Sequence, residues 1–144
     1  MEADNKTLEF IYVDPLRSIV LPYVDQGISC GFPSPAEGLE EEFDLNQHIV
    51  KNKDTTFFAK IRGDSMQGVG MEEGDIVVID KSLEPTDNKI AVCFLDGEFT
   101  IKRIRILQSK LYLVAENEKY APIEVTADND FVIWGIVTNI IKKL

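Results

Sequence analysis

Short β-branched and aromatic runs, broken by glycine, proline and aspartate, set the pattern of the chain. Thr55-Thr56-Phe57-Phe58-Ala59-Lys60-Ile61 reads as a strand, and Gly63 and Asp64 end it in a turn. Gly68 and Gly70 mark a loop, Gly74-Asp75 a turn, and Ile76 to Asp80 the next strand. Lys81 to Asn88, with Pro85, is a loop. Lys89 to Leu95 and Glu98 to Ile104 alternate as strands around Asp96-Gly97, among the strongest short hairpin signals. Lys110 to Ala115 is a strand, Glu116 to Pro122 a loop, and Phe131 to Ile141 a long apolar strand. Strands at this spacing predict a mainly β fold, a curled antiparallel sheet or partial barrel. One short helix is expected over Leu45 to Val50, capped by Asp44. Upstream, residues 1 to about 9 read as a polar, flexible arm. Phe10 to Val13 and Ile19 to Val24, interrupted by Pro15 and Pro22, read as extended pieces that dock on another surface.

The hairpin fixes a register. A two-residue turn pairs Leu95 with Glu98, Phe94 with Phe99 and Ala91 with Lys102. Lys102 then shares a strand face with Thr100, Ile104 and Ile106, while Phe99 and Ile101 lie on the other. The apolar phase switches near Arg103, which calls for coverage of both faces or a bulge. A lysine among isoleucines loses solvent, and desolvation disfavours its ammonium form. Each unit of pKa depression costs about 1.4 kcal/mol, a cost better matched to a proton-accepting amine than to decoration. The plain alternative is a lysine that snorkels to water. Ser65 falls at the strand-to-turn corner, where a hydroxyl can act as nucleophile and the N–H groups near Asp64, Ser65 and Met66 can face an oxyanion. Its plain alternative is an ordinary turn serine.

Composition narrows the function. The 144 residues suit one domain with a short extension, and 44% hydrophobic residues suffice for a core. No run approaches the ~18 apolar residues of a membrane span. The acidic start, Glu2, Asp4 and Glu9, is unlike a signal peptide, so a cytoplasmic location is the default expectation. A net charge of −10 repels a phosphate backbone, so no direct DNA binding is expected, and any nucleic-acid role would run through a protein partner. Cys30 and Cys93 suggest neither a disulfide framework nor a metal site. His48 is the only histidine and reads as structural.

The segment Gln26 to Pro35 is flexible and then stiffened by prolines, with Gly31 permitting close approach of backbone to a reactive centre. On its residues alone it is a linker. Several spaced motifs change that reading: Gly63-Asp64-Ser65-Met66, Glu73-Gly74-Asp75, and Asp96-Gly97-Glu98-Phe99-Thr100-Ile101-Lys102. With Cys30-Gly31-Phe32-Pro33-Ser34-Pro35-Ala36, Asp44-Leu45-Asn46-Gln47 and Val132-Ile133-Trp134-Gly135-Ile136-Val137, they resemble the self-cleaving Ser-Lys peptidases of the LexA/UmuD family. The likeness runs from about Cys30 to the C-terminus. It implies a LexA-like peptidase fold over 31–144 and an arm, 1–30, removed by self-cleavage at the Cys30-Gly31 bond. Ser65 would be the nucleophile and Lys102 the general base and acid, with no cofactor and no metal. It further implies a homodimer in the SOS response to DNA damage. A RecA filament on single-stranded DNA would stimulate cleavage, and the processed form would serve a UmuC-type polymerase in translesion synthesis. No helix-turn-helix domain like that of a LexA repressor is expected, and Phe10 to Val24 matches the family poorly. Two alternatives stay open: a polymerase-binding regulatory module without proteolysis, and a truncated repressor peptidase domain. Leader peptidases share Ser-Lys chemistry but need a membrane anchor, which is not expected here.

Overall fold

The computed structural model describes residues 8–11, 18–24, 27–32 and 40–144. Two compact units are present, one of Met1–Val13 with Asn52–Leu144 and one of Asp14–Lys51.

The larger unit is an open antiparallel sheet of eight strands. In chain order these are β1 (Leu8–Ile11), β4 (Thr56–Ile61), β5 (Ile76–Asp80), β6 (Ile90–Leu95), β7 (Glu98–Leu107), β8 (Lys110–Val114), β9 (Ile123–Val125) and β10 (Phe131–Ile141). Their spatial order is β1-β4-β5-β10-β6-β7-β8-β9. The mainly antiparallel β fold anticipated from the strand pattern is therefore present. The arm expectation changes at its end: β1 begins at Leu8 and pairs with β4, whereas residues 1–7 lie outside the described residues. Strand β10, apolar along its length, lies between β5 and β6, and its register shifts between Ile133 and Gly135 and again between Val137 and Asn139.

The β6–β7 hairpin has the anticipated register, with Ala91 opposite Lys102 and Phe94 opposite Phe99. Asp96 and Gly97 have φ of 48° and 91°, the two left-handed residues of a type I′ turn. The apolar phase switch near Arg103 is explained by cover on both faces. Val92 and Ile101 belong to one core cluster, with Ala59, Met66, Met71 and Ile79. Ala91, Cys93 and Ile104 point the other way into a second cluster with Leu113 and Ile136. Strand β7 runs unbroken between them, and the irregularities fall on β10 instead.

The β7–β8 turn was not legible. Leu107 pairs with Lys110 across Gln108 and Ser109, at φ of 50° and 65°. Neither residue favours that region, so Ser109→Gly is expected to stabilise the fold by about 0.5–1 kcal/mol. Urea unfolding should show a higher midpoint at unchanged slope.

At the C-terminal end Lys142 Nζ lies 2.5 Å from the buried Asp75 carboxylate. That bond holds the Asp75 carboxyl below the usual carboxylate range and ties β10 to the β4–β5 connection.

The smaller unit holds β2 (Val20–Val24) paired antiparallel with β3 (Glu40–Asp44), then α1 (Leu45–Ile49). Asp44 caps α1 as anticipated: its side chain accepts from Asn46 N at 3.0 Å and from Ser18 Oγ at 2.6 Å. Tyr23 stacks on Phe43 with ring centroids 4.5 Å apart, and the His48 ring lies tilted against Phe43 at 4.9 Å.

Candidate active site

Ser65 and Lys102 reach each other from different elements. Strand β4 ends at Ile61, whose N–H and C=O both bond to the Gly74-Asp75 turn, at 2.7 and 2.9 Å. The chain then reverses through Gly63, at φ 89°, whose N–H donates to Glu73 Oε1 at 3.3 Å. Met66 anchors the far side of the corner. Its side chain is buried in the first core cluster, and its carbonyl accepts from Val69 and Met71 N–H. A 3-10 turn, Gln67–Val69, comes next. Ser65 stays half-buried at the rim of a small pocket lined by Ile61, Arg62, Met66, Met71 and Ile101.

Lys102 comes from the middle of β7 and is 8% exposed. Its Nζ lies 3.0 Å from Ser65 Oγ, 2.8 Å from Thr100 Oγ1 and 3.2 Å from the Ile101 carbonyl. Three partners suit either protonation state, with different proton placement. An ammonium donates to all three. A neutral amine has two N–H donors and one lone pair. The Ile101 carbonyl can only accept and Thr100 Oγ1 can accept, which leaves the lone pair for a proton donated by Ser65 Oγ. Burial favours this second state by pushing the Lys102 pKa down. The neighbouring Cys93 thiol supplies no counter-charge, because burial pushes its own pKa up to about 12. Among the described residues no carboxylate pairs with Lys102. A hydroxyl and a desolvated amine at this separation can exchange a proton directly.

The loop Ala115 to Pro122 braces the serine corner, which its sequence did not announce. Asn117 Nδ2 donates to the Asp64 carbonyl at 2.9 Å. Tyr120 Oη donates to Asp64 Oδ1 at 2.5 Å, and Lys119 Nζ lies 3.7 Å from Oδ2. The tyrosine hydroxyl, helped by Lys119, holds the Asp64 carboxyl below its ordinary range. Gly68 N donates to the Glu116 carbonyl at 2.6 Å, so close that a Cβ on Gly68 would sit 2.5 Å from that oxygen. Glu116 in turn pairs with Arg103, the residue after Lys102. Thr100 was visible in sequence only as a face-mate of Lys102. For Asn117 and Tyr120 nothing in an ordinary polar loop signalled a role.

Of the remaining residues singled out by sequence, Cys30 and Gly31 belong to the smaller unit. Both are exposed in the segment Gly27–Phe32, where Gly31 N donates to Ser29 Oγ at 3.3 Å and Ser29 Oγ to the Phe32 carbonyl. Pro33 to Ala36 lie outside the described residues. His48, also in the smaller unit, is exposed and lies tilted against Phe43. Both cysteines are free thiols. Among the described residues, no group of three His, Cys, Asp or Glu side chains is placed to hold a metal ion, and no helix is long and apolar enough to cross a membrane.

Residues 22–138 match the family described as Peptidase S24-like. Protein MucA of Salmonella typhimurium is 36% identical over 121 residues, which span 83% of this chain and 82% of that protein. Protein SamA of the same species is 36% identical over 131 residues, 90% of each. The LexA repressor of Shewanella denitrificans is 33% identical across 99% of this chain and 70% of its own length.

Proposed function

The chain belongs to the peptidase S24-like family, and on that premise we propose that it is a serine peptidase that cuts its own Cys30-Gly31 bond with a Ser65-Lys102 dyad. Neutral Lys102 takes the proton of Ser65 Oγ as that oxygen attacks the Cys30 carbonyl. The tetrahedral oxyanion is held by backbone N–H groups of the Asp64 to Met66 corner. As it collapses, the C–N bond breaks and Lys102 passes its proton to the Gly31 nitrogen. Water then adds to the acyl-enzyme, Lys102 again taking a proton, and releases Ser65. The observation that carries this reading is the 3.0 Å approach of a buried lysine amine to a serine hydroxyl, with two further acceptors for its N–H groups.

The motifs shared with the LexA/UmuD peptidases extend the proposal to a role in SOS mutagenesis. The processed chain, 31–144, acts as a homodimeric accessory subunit of a UmuC-type translesion polymerase, and cleavage is stimulated by a RecA filament on single-stranded DNA. The acidic surface, net −10, supports contact through proteins rather than through DNA itself.

Purified protein incubated at pH 9 and followed by intact-mass spectrometry is expected to yield the pieces 1–30 and 31–144, the second beginning at Gly31. A chain that stays whole under these conditions and with an activated RecA filament would leave a binding module in place of a peptidase.

A further inference from the structure

We infer that Asn117 is a positioning residue for the Ser65 backbone amide, aiming that N–H at the oxyanion of the self-cleavage reaction; the inference rests on the Ser65-Lys102 reading above. The Asp64 carbonyl accepts twice, from Asn117 Nδ2 at 2.9 Å and from Gln67 N at 3.2 Å. The Asp64-Ser65 peptide is trans, and a planar trans peptide points its N–H opposite to its C=O. Whatever fixes the Asp64 carbonyl therefore fixes the direction of the Ser65 N–H. The Gln67 bond lies within the turn and moves with it. Asn117 holds the carbonyl from outside, and its own orientation is set because Oδ1 accepts from Lys119 N at 3.0 Å, leaving Nδ2 for Asp64.

The same loop grips the corner at other atoms. Tyr120 and Lys119 hold the Asp64 carboxylate, and Glu116 receives the Gly68 N–H. Glu116 is tied to Arg103, and Arg103 Nη1 donates to the Asn88 carbonyl at 2.7 Å. One element thus links the strand that carries Lys102 to the turn that carries Ser65. Among the described residues, the hydrogen bonds donated within the turn begin at Gln67. The Ser65 N–H is not spent on the turn and is available to a developing charge.

Asn117→Asp tests the assignment, since it keeps an acceptor for Lys119 N and replaces the donor to Asp64 with a carboxylate. The plateau of the self-cleavage rate at high pH is expected to fall by about 10- to 100-fold, the scale of a misaimed oxyanion donor. Labelling of Ser65 by a fluorophosphonate, in which Oγ displaces fluoride and the phosphonyl oxygen needs the same N–H, should fall in step. Asn117→Ala, which adds no charge, should show the same loss with the midpoint of the pH–rate curve unmoved, because the surroundings of Lys102 are intact. The assignment is overturned if Asn117→Asp cleaves within about twofold of the parent, if the loss in Asn117→Ala arises from a shifted midpoint, or if both variants lose their fold. A parent that neither cleaves nor labels at any pH overturns the peptidase reading itself, and this inference with it. A parent that cleaves beside an equally fast Asn117→Asp removes the positioning role alone.

Discussion

Lys102→Met is expected to abolish the fragment beginning at Gly31 and, in the same protein, to raise stability at pH 7. Loss of the group placed to take the Ser65 proton should slow cleavage by at least about 10³-fold, within the range contributed by general acid–base groups. Ser65→Ala should be as slow, and the double variant no slower, because the two groups act as a unit. The stability gain has the opposite origin. Burial lowers the Lys102 pKa in the folded chain, while the unfolded chain titrates near about 10.4. Folding at neutral pH therefore either expels a proton from Lys102 or buries a charge. The penalty is absent above the unfolded value, grows as pH falls from it, and is complete below the folded value. Methionine avoids it at a similar volume, so a gain of about 1–4 kcal/mol is expected at pH 7. The gain should shrink as pH approaches 10.5. Thermal unfolding at several pH values reads the trend. A variant less stable than the parent at pH 7 would mean that the three contacts of Nζ outweigh its desolvation.

The second large effect is on pH. If only the neutral amine accepts the Ser65 proton, the cleavage rate should rise about tenfold per pH unit on the acid side and level off once Lys102 is neutral. The lowered Lys102 pKa places that levelling-off below 10.5. Cys93 is the other titratable group at Lys102, and its thiol stays protonated until about 12, so one ionisation should describe the curve. Single-turnover rates between pH 6 and 10.5 give the profile. A flat one would count against an amine base.

The sheet and the burial of Lys102 were legible because each rests on local rules, whereas the pairing of Lys102 with Ser65 came from the motifs shared with the LexA/UmuD peptidases. A type I′ turn at Asp96-Gly97 fixes the hairpin register, and that register sets Lys102 opposite Ala91 among buried neighbours. What placed Ser65 over it is long-range: a strand end at Ile61, a buried Met66 and a clasp from a loop some fifty residues on. The Asn117 and Tyr120 contacts with Asp64 span 53 and 56 residues, and no short-range pattern encodes them. Gln108 and Ser109 were missed for another reason. They occupy left-handed positions that their own preferences oppose, held there by the pairing of Leu107 with Lys110. Glu40–Asp44 is a strand beside Val20–Val24 although its residues, four of the five acidic, carry no strand pattern. Its pairing is made by backbone atoms, which charge patterns do not report.

Strand β1 bears on the fate of the severed arm after a cut at Cys30-Gly31. Leu8–Ile11 would lose its covalent tie to the sheet yet remain hydrogen-bonded to β4, from Leu8 opposite Ile61 to Ile11 opposite Phe58. Hydrolysis and departure then become separate events: the nicked complex is held by the Val20–Val24 ladder on β3 and, at the sheet, by the four-residue ladder on β4. Once that ladder lets go, β4 turns into a bare sheet border ending just before the Ser65 corner, able to accept a strand from elsewhere.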